Sequence, residues 1–267
     1  MRSLSGARVW LTGASSGIGE ALVPALLRRG ARVAVSARRA ERLEALARTW
    51  RANGGDVLVV PLDATDRPAV LAAARRIEEA WGGIDVAIFN AGTHTPSTAD
   101  GFDSAQFVDT MTLNYFGVIY GIEAVLPAML ARGSGHIVGV ASLAGYRALP
   151  RAPAYGASKA ALILALDSIR FDLEPRGITV TTVNPGFVKT PLTAKNTFKM
   201  PFLMDVDDAA AIMVRDIERQ KRESHFPVPF SWMLKLLRIL PFPLYRWLIL
   251  RGTRGQQQAR RPITGNR

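Results

Sequence analysis

Short apolar runs alternate along the chain with longer segments of helical periodicity, and this alternation restricts the fold more than any other feature. The runs, rich in Val and Ile, occupy residues 7–11, 32–36, 57–61, 84–89, 136–141 and 179–183. The segments between them have the apolar period of an α-helix and lie at about 17–29, 40–52, 67–81, 105–131 and 157–175. Apolar strands separated by helices are typical of a parallel sheet covered on both faces. Right-handed crossovers then predict an α/β fold with a doubly wound parallel sheet.

The length of the chain and the continuity of this pattern favour one domain over two. Folds of this kind often run to 267 residues as a single unit. No internal repeat or linker interrupts the alternation. The segment 190–204, which contains Pro191 and Pro201 and has little periodicity, is predicted as a loop or short lid.

Composition excludes several kinds of site. The chain has no cysteine, so disulfides, thiolate metal sites and cysteine nucleophiles are ruled out. The histidines His94, His136 and His225 show no spacing typical of metal ligands, and we predict no metal. Residues 1–7 do not resemble a signal peptide, and no uncharged apolar run is long enough to cross a membrane. We therefore expect a cytoplasmic protein.

Positive charge is concentrated near the C-terminal end of the sequence. The net charge is +12, and residues 215–267 hold 12 of the Lys and Arg residues but 3 of the Asp and Glu, which makes +9 there. Such a segment fits an anionic membrane surface, a nucleic acid or a solubilising tail. Nucleic-acid binding is not predicted, because the aromatic residues stand beside aliphatic ones rather than forming a stacking platform.

A glycine-rich turn joins the first predicted strand to the first helix and reads Thr12-Gly13-Ala14-Ser15-Ser16-Gly17-Ile18-Gly19. The three glycines permit a sharp turn, close approach of the backbone to a pyrophosphate, and close packing of helix on strand. The free N–H groups of the helix N-terminus attract the anion. The turn therefore predicts a dinucleotide site, although a tight turn without a ligand has the same pattern. The residues expected to bind are Gly13, Ser15, Ser16, Gly17, Ile18 and Gly19.

The residues after the second strand favour NADP(H) over NAD(H). An NAD site has an acidic residue there for the ribose 2′-hydroxyl, whereas this chain reads Ser36-Ala37-Arg38-Arg39. No carboxylate repels a 2′-phosphate, and the Arg38 guanidinium can bind it through charge-assisted hydrogen bonds. The alternative is that both arginines form a solvated helix start.

Tyr155 and Lys159 stand four residues apart on a predicted helix and therefore share one face. A nearby ammonium stabilises a phenolate and lowers the pKa of the phenol towards the neutral range, where it can act as acid or base. Ser142 follows the fifth strand, at the edge where doubly wound sheets bind ligands. Taken alone, a Tyr and a Lys on an exposed helix face have the same spacing.

Together these features resemble the short-chain dehydrogenase/reductase family of NADP-preferring type. The matching residues cover 7–191 in order: Thr12-Gly13-x3-Gly17-x-Gly19, Asp63, Asn90-Ala91-Gly92, Asn114, Ser142, Tyr155-x3-Lys159, and Asn184-Pro185-Gly186 with Thr190. The combination is specific, although each motif alone is weak. No motif covers the chain after about residue 225.

The resemblance implies a catalytic tetrad. Tyr155 would donate a proton to a carbonyl oxygen that Ser142 positions. Lys159 would bind the nicotinamide ribose and depress the pKa of Tyr155. Asn114 would hold a water that links Lys159 to solvent, although a polar residue in a long helix is its plainer explanation.

The resemblance also assigns further cofactor contacts. Asp63 would bond the adenine amino group, or cap a turn near Thr65. Asn90 would lie beside a ribose, brace the central strands, or do both. The remaining expected contacts are Gly92, Tyr155, Lys159, Pro185, Gly186, Val188 and Thr190.

These residues predict an NADP(H)-dependent oxidoreductase that interconverts a carbonyl and an alcohol. Apolar residues in the loops 93–104, 143–153 and 190–204 favour a hydrophobic substrate over a sugar or an acid. The alternative is a non-catalytic NADP-binding regulatory protein on the same fold.

Three regions follow along the chain. Residues 1–225 are expected to form the Rossmann-type catalytic domain, 226–251 an apolar and basic extension, and 252–267 a disordered tail. The resemblance implies a homodimer or tetramer built through helices 105–131 and 157–175. Val125, Leu162, Leu166 and Ile169 offer apolar surface there, although burial in the monomer core explains some of them.

The extension 226–251 suits a helix that lies in a lipid headgroup region, because it combines apolar residues, interfacial aromatics and basic charges. Ser231 is predicted to cap a first helix, and Pro243 to start a second. The alternatives are that the extension folds over the substrate cleft or packs at an oligomer interface.

Overall fold

A seven-stranded parallel sheet forms the centre of the protein, in a computed structural model that describes residues 3–196, 198 and 200–258, with side chains up to residue 251. The strand order is β3-β2-β1-β4-β5-β6-β7, which confirms the predicted doubly wound sheet. The strands are β1 Arg8–Thr12, β2 Arg32–Ser36, β3 Val57–Val59, β4 Val86–Phe89, β5 Gly135–Val140, β6 Ile178–Pro185 and β7 Glu223–Phe226.

Nine helices among the described residues cover the sheet. They are α1 Gly17–Leu27, α2 Ala40–Ala52, α3 Arg67–Trp81, α4 Ser104–Met111, α5 Gly117–Arg132, α6 Pro153–Leu173, α7 Val206–Glu218, α8 Val228–Ile239 and α9 Phe242–Gln258. The single helix expected at 105–131 is interrupted by a π-helical turn, Thr112–Phe116, between α4 and α5. The helix expected at 157–175 begins four residues earlier, because Pro153 occupies its first turn.

Two hydrophobic cores lie on opposite faces of the sheet. On one face α1, α2 and α7 pack on Val9 and Leu11 of β1, and on the other α3, α5 and α6 pack around Trp10. Adjacent residues of a strand point to opposite faces, so each strand contributes to both cores. The strands β1 to β5 are therefore mostly apolar along their length, as the sequence indicated.

One helical segment, Ser104–Arg132, is long and apolar enough by composition to cross a membrane. It packs against α3, and its first part packs against α6. Core helices of this length pass the same test, so the segment gives weak grounds for a membrane span.

The helices proposed for oligomer contact present a different surface from the one expected. Val125, Leu162 and Leu166 are at most 1% exposed and pack inside the second core, so they are not available to a partner. The alternative, burial in the monomer core, therefore holds for these three residues, because their faces point at the sheet. The exposed apolar residues on these helices are Val108, Phe116, Leu164 and Phe171.

The C-terminal extension is helical and packs onto the catalytic fold. The first of its helices, α8, begins at Val228 rather than at a Ser231 cap. Ser231 lies inside α8, fully buried, where its hydroxyl donates to the Val228 carbonyl and bonds His225 Nδ1 at 2.7 Å. The second helix, α9, includes residues 252–258 of the expected disordered tail, whereas residues 259–267 lie outside the described residues.

Arg147, in the loop after β5, ties the extension to the fold. Its guanidinium donates to the carbonyls of Leu237, Arg238 and Leu240 at the end of α8, where helical carbonyls lack their usual partners in the next turn. It also stacks over the ring of Tyr245, with 3.9 Å to the ring centroid. These contacts connect α8 and α9 to the loop that follows Ser142.

Glu223, at the start of β7, forms a second set of contacts between the extension and the catalytic fold. The Lys235 ammonium donates to its carboxylate at 2.6 Å, and Asn184 Nδ2 donates at 2.9 Å. The Tyr146 hydroxyl donates to the same carboxylate. Burial and the adjacent Glu223 carboxylate both raise the pKa of Tyr146, which keeps it a neutral donor.

Candidate active site

A cleft of about 420 Å³ opens at the carboxyl ends of the strands, beside the neighbouring strands β1 and β4, where the strand order reverses. This is the place where doubly wound sheets bind ligands. Most of the predicted cofactor residues line it: Gly13, Ser15, Ser16, Gly17, Ile18, Arg38, Asp63, Asn90, Gly92, Tyr155, Lys159, Pro185, Gly186, Val188 and Thr190. Gly19 does not line the cleft.

The glycine turn has the geometry that its sequence suggests. Gly13 and Gly17 adopt positive φ angles of 71° and 57°, which side chains with a Cβ rarely adopt. A Cβ on Gly19 would lie 2.1 Å from the Gly13 carbonyl oxygen, so this glycine lets α1 approach the turn. Gly19 therefore shapes the site without lining it.

Arginine side chains surround the end of the cleft nearest β2. Arg38 and Arg39 both line it. Arg39 donates to the Ser15 hydroxyl at 3.2 Å, and Arg42 Nε donates to the Ser15 carbonyl at 2.6 Å while its guanidinium pairs with Glu20 at 3.0 Å. The sequence reasoning missed Arg42, although its spacing of four from Arg38 places it one helical turn further along α2.

Asp63 and Asn90 both serve the framework as well as lining the cleft. Asp63 Oδ1 accepts hydrogen bonds from the backbone N–H and hydroxyl of Thr65, at 2.9 and 2.8 Å. The Asn90 amide donates to the carbonyls of Thr12 and Gly13, at 3.2 and 3.3 Å. Asp63 therefore caps the turn at Thr65, and Asn90 braces the end of β1. Both residues also line the cleft.

Ser142, Tyr155 and Lys159 meet at the inner end of the cleft. The Ser142 hydroxyl lies near the Tyr155 phenol and favours its ionised form. Ser142 also accepts from the Ala144 N–H at 3.1 Å, which fixes its hydroxyl at the end of β5. The Lys159 ammonium lies 5.9 Å from the centre of the Tyr155 ring and donates to the Val140 carbonyl at 2.8 Å.

Burial dominates the ionisation of both groups on α6. It raises the pKa of Tyr155, and the Ser142 hydroxyl offsets part of that rise. It lowers the pKa of Lys159 to about 8, because the ammonium is desolvated without a carboxylate beside it. The expected depression of the Tyr155 pKa by Lys159 is thus absent here, since desolvation of the phenolate determines the direction of the shift.

Asn114 occupies the π-helical turn and is fully buried. Its Oδ1 accepts from the Thr93 N–H at 2.8 Å, and its Nδ2 donates to the Thr93 carbonyl at 2.9 Å and to Ser158 Oγ at 3.0 Å. Through these bonds the Asn114 amide holds the loop at Thr93 against α6. Gly92 packs between Asn114 and Lys159, where a Cβ would lie 3.1 Å from Asn114 Oδ1.

The segment after β6 closes one side of the cleft. A Cβ on Gly186 would lie 3.1 Å from both Phe230 and Pro227, so this glycine allows the extension to pack closely. Thr190 bonds Thr193 at 3.2 Å between hydroxyl oxygens. The loop predicted at 190–204 contains one 3-10 turn, Thr193–Lys195, and borders both cavities of the site.

A second cavity of about 800 Å³ adjoins the cleft and shares Ser142 and Tyr155 with it. Its apolar lining includes Pro96, Leu143, Leu149, Phe187, Leu192, Phe198, Phe230 and Leu234. The loops named from sequence supply most of these residues. Phe230 and Leu234 come from α8, so part of the extension lies against the substrate cavity, as one of the alternatives for residues 226–251 expected.

The described residues contain no group of three or more His, Asp or Glu side chains that could hold a metal ion. The cleft does fit a nicotinamide dinucleotide. Positive-φ glycines face a helix N-terminus, cationic side chains lie near β2, and the hydroxyls of Ser142 and Tyr155 lie at the opposite end.

The fold and cleft define a class of dinucleotide-binding α/β proteins, and comparison with known proteins gives the family. The short chain dehydrogenase family matches residues 7–200. The chain is 40% identical over 245 residues to an uncharacterized oxidoreductase of Myxococcus xanthus, covering 92% of this chain and 97% of that one.

Two further comparisons agree. A dehydrogenase/reductase SDR family protein 7-like of Drosophila melanogaster is 37% identical, over 71% of this chain and 60% of that protein. The crystal structure of a short-chain type dehydrogenase/reductase from Mycobacterium marinum superposes with a TM-score of 0.74, at 29% identity, over 79% of this chain and 88% of that one. The chain belongs to the short-chain dehydrogenase family and is an oxidoreductase.

Proposed function

We propose that the protein is an NADP(H)-dependent oxidoreductase that interconverts a carbonyl and an alcohol on a largely apolar substrate. The observation that carries the proposal is the position of Ser142 and Tyr155, which line both the dinucleotide cleft and the apolar cavity. A substrate in the second cavity can therefore reach the same hydroxyls that a nicotinamide in the cleft would face.

The chain's own residues supply binding and proton transfer, while the bound nicotinamide supplies or accepts the hydride. In the reducing direction, Ser142 holds the carbonyl oxygen and the Tyr155 hydroxyl gives it a proton. Lys159, with its pKa near 8, can return a proton to Tyr155. Asn114 holds the loop at Thr93 against Ser158, the neighbour of Lys159 on α6. In the oxidising direction, the proton passes the opposite way.

Support for NADP(H) over NAD(H) comes from the end of β2. Arg38 and Arg39 line the cleft, and Arg42 adds a third guanidinium nearby. The carboxylate that lines the cleft among the described residues is Asp63, which accepts two bonds from Thr65. A 2′-phosphate therefore meets guanidinium groups there, with no acidic residue at the tip of β2 to repel it.

Tyr155→Phe tests the catalytic assignment. The ring stays while the proton donor goes, so turnover should fall about 10²-fold or more, the scale of a general acid. NADPH affinity, measured by protein fluorescence, should stay within about twofold. Tyr120→Phe, which removes a hydroxyl outside both cavities, is the control. Turnover at the wild-type rate in Tyr155→Phe would overturn the assignment. If the wild-type protein binds NADPH tightly but turns over no carbonyl compound, the regulatory alternative is favoured.

Two macromolecular contacts belong to the same proposal. A second copy of the chain would cover the exposed apolar residues of α4, α5 and α6, in keeping with a family whose members form oligomers. An anionic lipid surface would contact the exposed faces of α8 and α9. The protein would then be cytoplasmic and peripheral to the membrane.

A further inference from the structure

The cavity beside Tyr155 is apolar on most sides but cationic on one. His94, Arg151, Lys195 and Asn196 line it together with the aromatic and aliphatic side chains. No Asp or Glu is among its described lining residues. Neither Arg151 nor Lys195 forms an ion pair within the part of the chain that the structure describes. The cavity therefore presents positive charge that the protein itself does not neutralise.

Three polar atoms at this side are buried without a hydrogen-bond partner: His94 Nδ1, Arg151 Nε and Asn196 Oδ1. A buried polar group left unpaired costs about 1–3 kcal/mol, and more when it is charged. Seven such atoms occur among the described residues, and three of them lie in this one cavity. Their clustering indicates that a ligand satisfies them.

The backbone of Arg151 adopts an unusual conformation. Its φ of 63° lies in the left-handed region, which a non-glycine residue adopts at some cost. The Ser97 N–H donates to its carbonyl at 3.1 Å, which helps to keep the turn. Arg151 also precedes Tyr155 by four residues, so the guanidinium and the phenol are tied to the same end of α6.

His94 lies between the cationic side and the reacting hydroxyl. Its ring packs against that of Tyr155, with 4.7 Å between centroids. Burial lowers the pKa of His94, and the charges of Lys195 and Arg151 lower it further. A neutral imidazole offers a hydrogen-bond donor without adding charge. An anion held by Arg151 and Lys195 would thus lie near the carbonyl that Tyr155 protonates.

We propose that this cavity binds a substrate with an apolar body and an anionic group, a carboxylate or a phosphate monoester, which lies against His94, Arg151 and Lys195. The inference rests on the proposed carbonyl chemistry and names its substrate class, an amphipathic oxo acid or its phosphate counterpart. It revises the expectation from the loop sequences, which favoured an uncharged apolar substrate. The apolar walls bind the body, and the unpaired cations bind the charged end.

Binding tests the site separately from catalysis. With saturating NADP⁺, octanoate, octyl phosphate and octanol are titrated into the protein by calorimetry. One or both anions should bind at least about tenfold more tightly than octanol, the scale of a charge-assisted hydrogen bond. Lys195→Gln and Arg151→Gln should each remove most of that preference. Arg176→Gln, at an exposed turn away from the cavity, is the charge-matched control and should leave it unchanged.

Turnover completes the test. The kcat/KM for an aliphatic oxo acid should exceed that for its methyl ester, and Lys195→Gln should reduce the acid's value about tenfold or more through KM while leaving the ester within about twofold. Lys195 is exposed, so this variant stays informative if Arg151→Gln unfolds. Equal binding of anions and octanol overturns the inference while the Tyr155 assignment stands. Selective anion binding without any carbonyl turnover keeps the anion site and refutes the proposed function.

Discussion

Lys159 is a buried amine whose surroundings offer it a carbonyl but no carboxylate. Its ammonium donates to Val140 and lies near Tyr155, whose own pKa is raised by burial. Burial thus disfavours the charged form of both groups, which brings the pKa of Lys159 close to neutral pH and suits it to exchange a proton with Tyr155. Such a pair costs folding free energy, because the charged form of either group is poorly solvated.

Lys159 should titrate near pH 8. The chain has six lysines, so ¹³C-labelled lysine side chains give few NMR signals, and Lys159→Met identifies the one to follow. Because the folded pKa lies below the unfolded one, the folded state binds fewer protons between them. The free energy of unfolding should rise from about pH 8 to pH 10.5, by about 3 kcal/mol relative to Lys159→Met. A midpoint at or above pH 10 would contradict this.

Arg38→Asp should reverse the cofactor preference. The substitution removes a guanidinium from the cleft and adds a carboxylate near the expected 2′-phosphate, so NADPH should bind about 1.5–3 kcal/mol or more weakly. NADH should lose less or bind more tightly. Dissociation constants for both nucleotides decide the matter, with Arg28→Asp outside the cleft as the control. A wild-type protein that prefers NADH would show that the arginines at β2 serve another purpose.

The sequence predicted which residues line the site better than it predicted the hydrogen bonds that those residues make. Gly13, Ser142 and Tyr155 could be named because their motifs specify backbone geometry or chemistry. The paired roles of Asp63 and Asn90, and the bonds of the Asn114 amide, depend on where Thr65, Thr93 and the end of β1 come to lie. Those positions follow from packing of segments that are distant in sequence.

Among the helices, α8 and α9 are unusual in presenting a continuous exposed apolar face. Trp232, Leu236 and Ile239 are 55%, 61% and 79% exposed on α8, and Phe242 and Trp247 are exposed on α9. Arg238, Arg246 and Arg251 flank these residues, and Arg251 stacks over Trp247. No acidic residue follows Glu223 in the sequence. An apolar face bordered by arginines is complementary to a membrane surface that carries negative charge.

The double variant Leu236→Glu/Ile239→Glu should abolish membrane binding while leaving NADPH affinity unchanged. Each substitution replaces an inserted apolar group by a charge that anionic lipid repels, so vesicle binding should fall about tenfold or more. Co-sedimentation at low salt with vesicles containing phosphatidylserine measures it, with phosphatidylcholine vesicles for comparison. Phe102→Glu is the control, because Phe102 is also apolar and exposed but lies outside α8 and α9. If the wild type ignores both vesicles but self-associates through this face, a second copy is the occupant.

Elements that the sequence missed share a physical cause. The strand β7 spans Glu223–Phe226, which contains no Val or Ile, and it forms because β6 offers it a free edge. The helix α8 begins at Val228, with Pro229 in its first turn, rather than at Ser231, whose hydroxyl forms a hydrogen bond with His225. Local propensity is weak in both places, and tertiary pairing decides the outcome.

For the whole molecule, the described residues present a further exposed apolar surface on α6. Leu164 and Phe171, seven residues apart on α6, are 72% and 82% exposed. The protein should therefore sediment as a dimer or tetramer at micromolar concentration, and Phe171→Glu should shift it to a smaller species because a charge would be buried at the contact. Phe102→Glu again serves as the control. A wild-type monomer under the same conditions would refute this contact.

The dinucleotide cleft and the apolar cavity are also lined in part by different segments of the chain. Every residue of the glycine turn and the β2 arginines precedes residue 43, whereas Phe230 and Leu234 of α8 wall the cavity beside Tyr155. Nucleotide affinity and substrate choice can therefore diverge independently within a lineage. Exchanging residues 226–251 between relatives is then a route to new substrate selectivity, with Arg147 as the contact that any exchanged segment must keep.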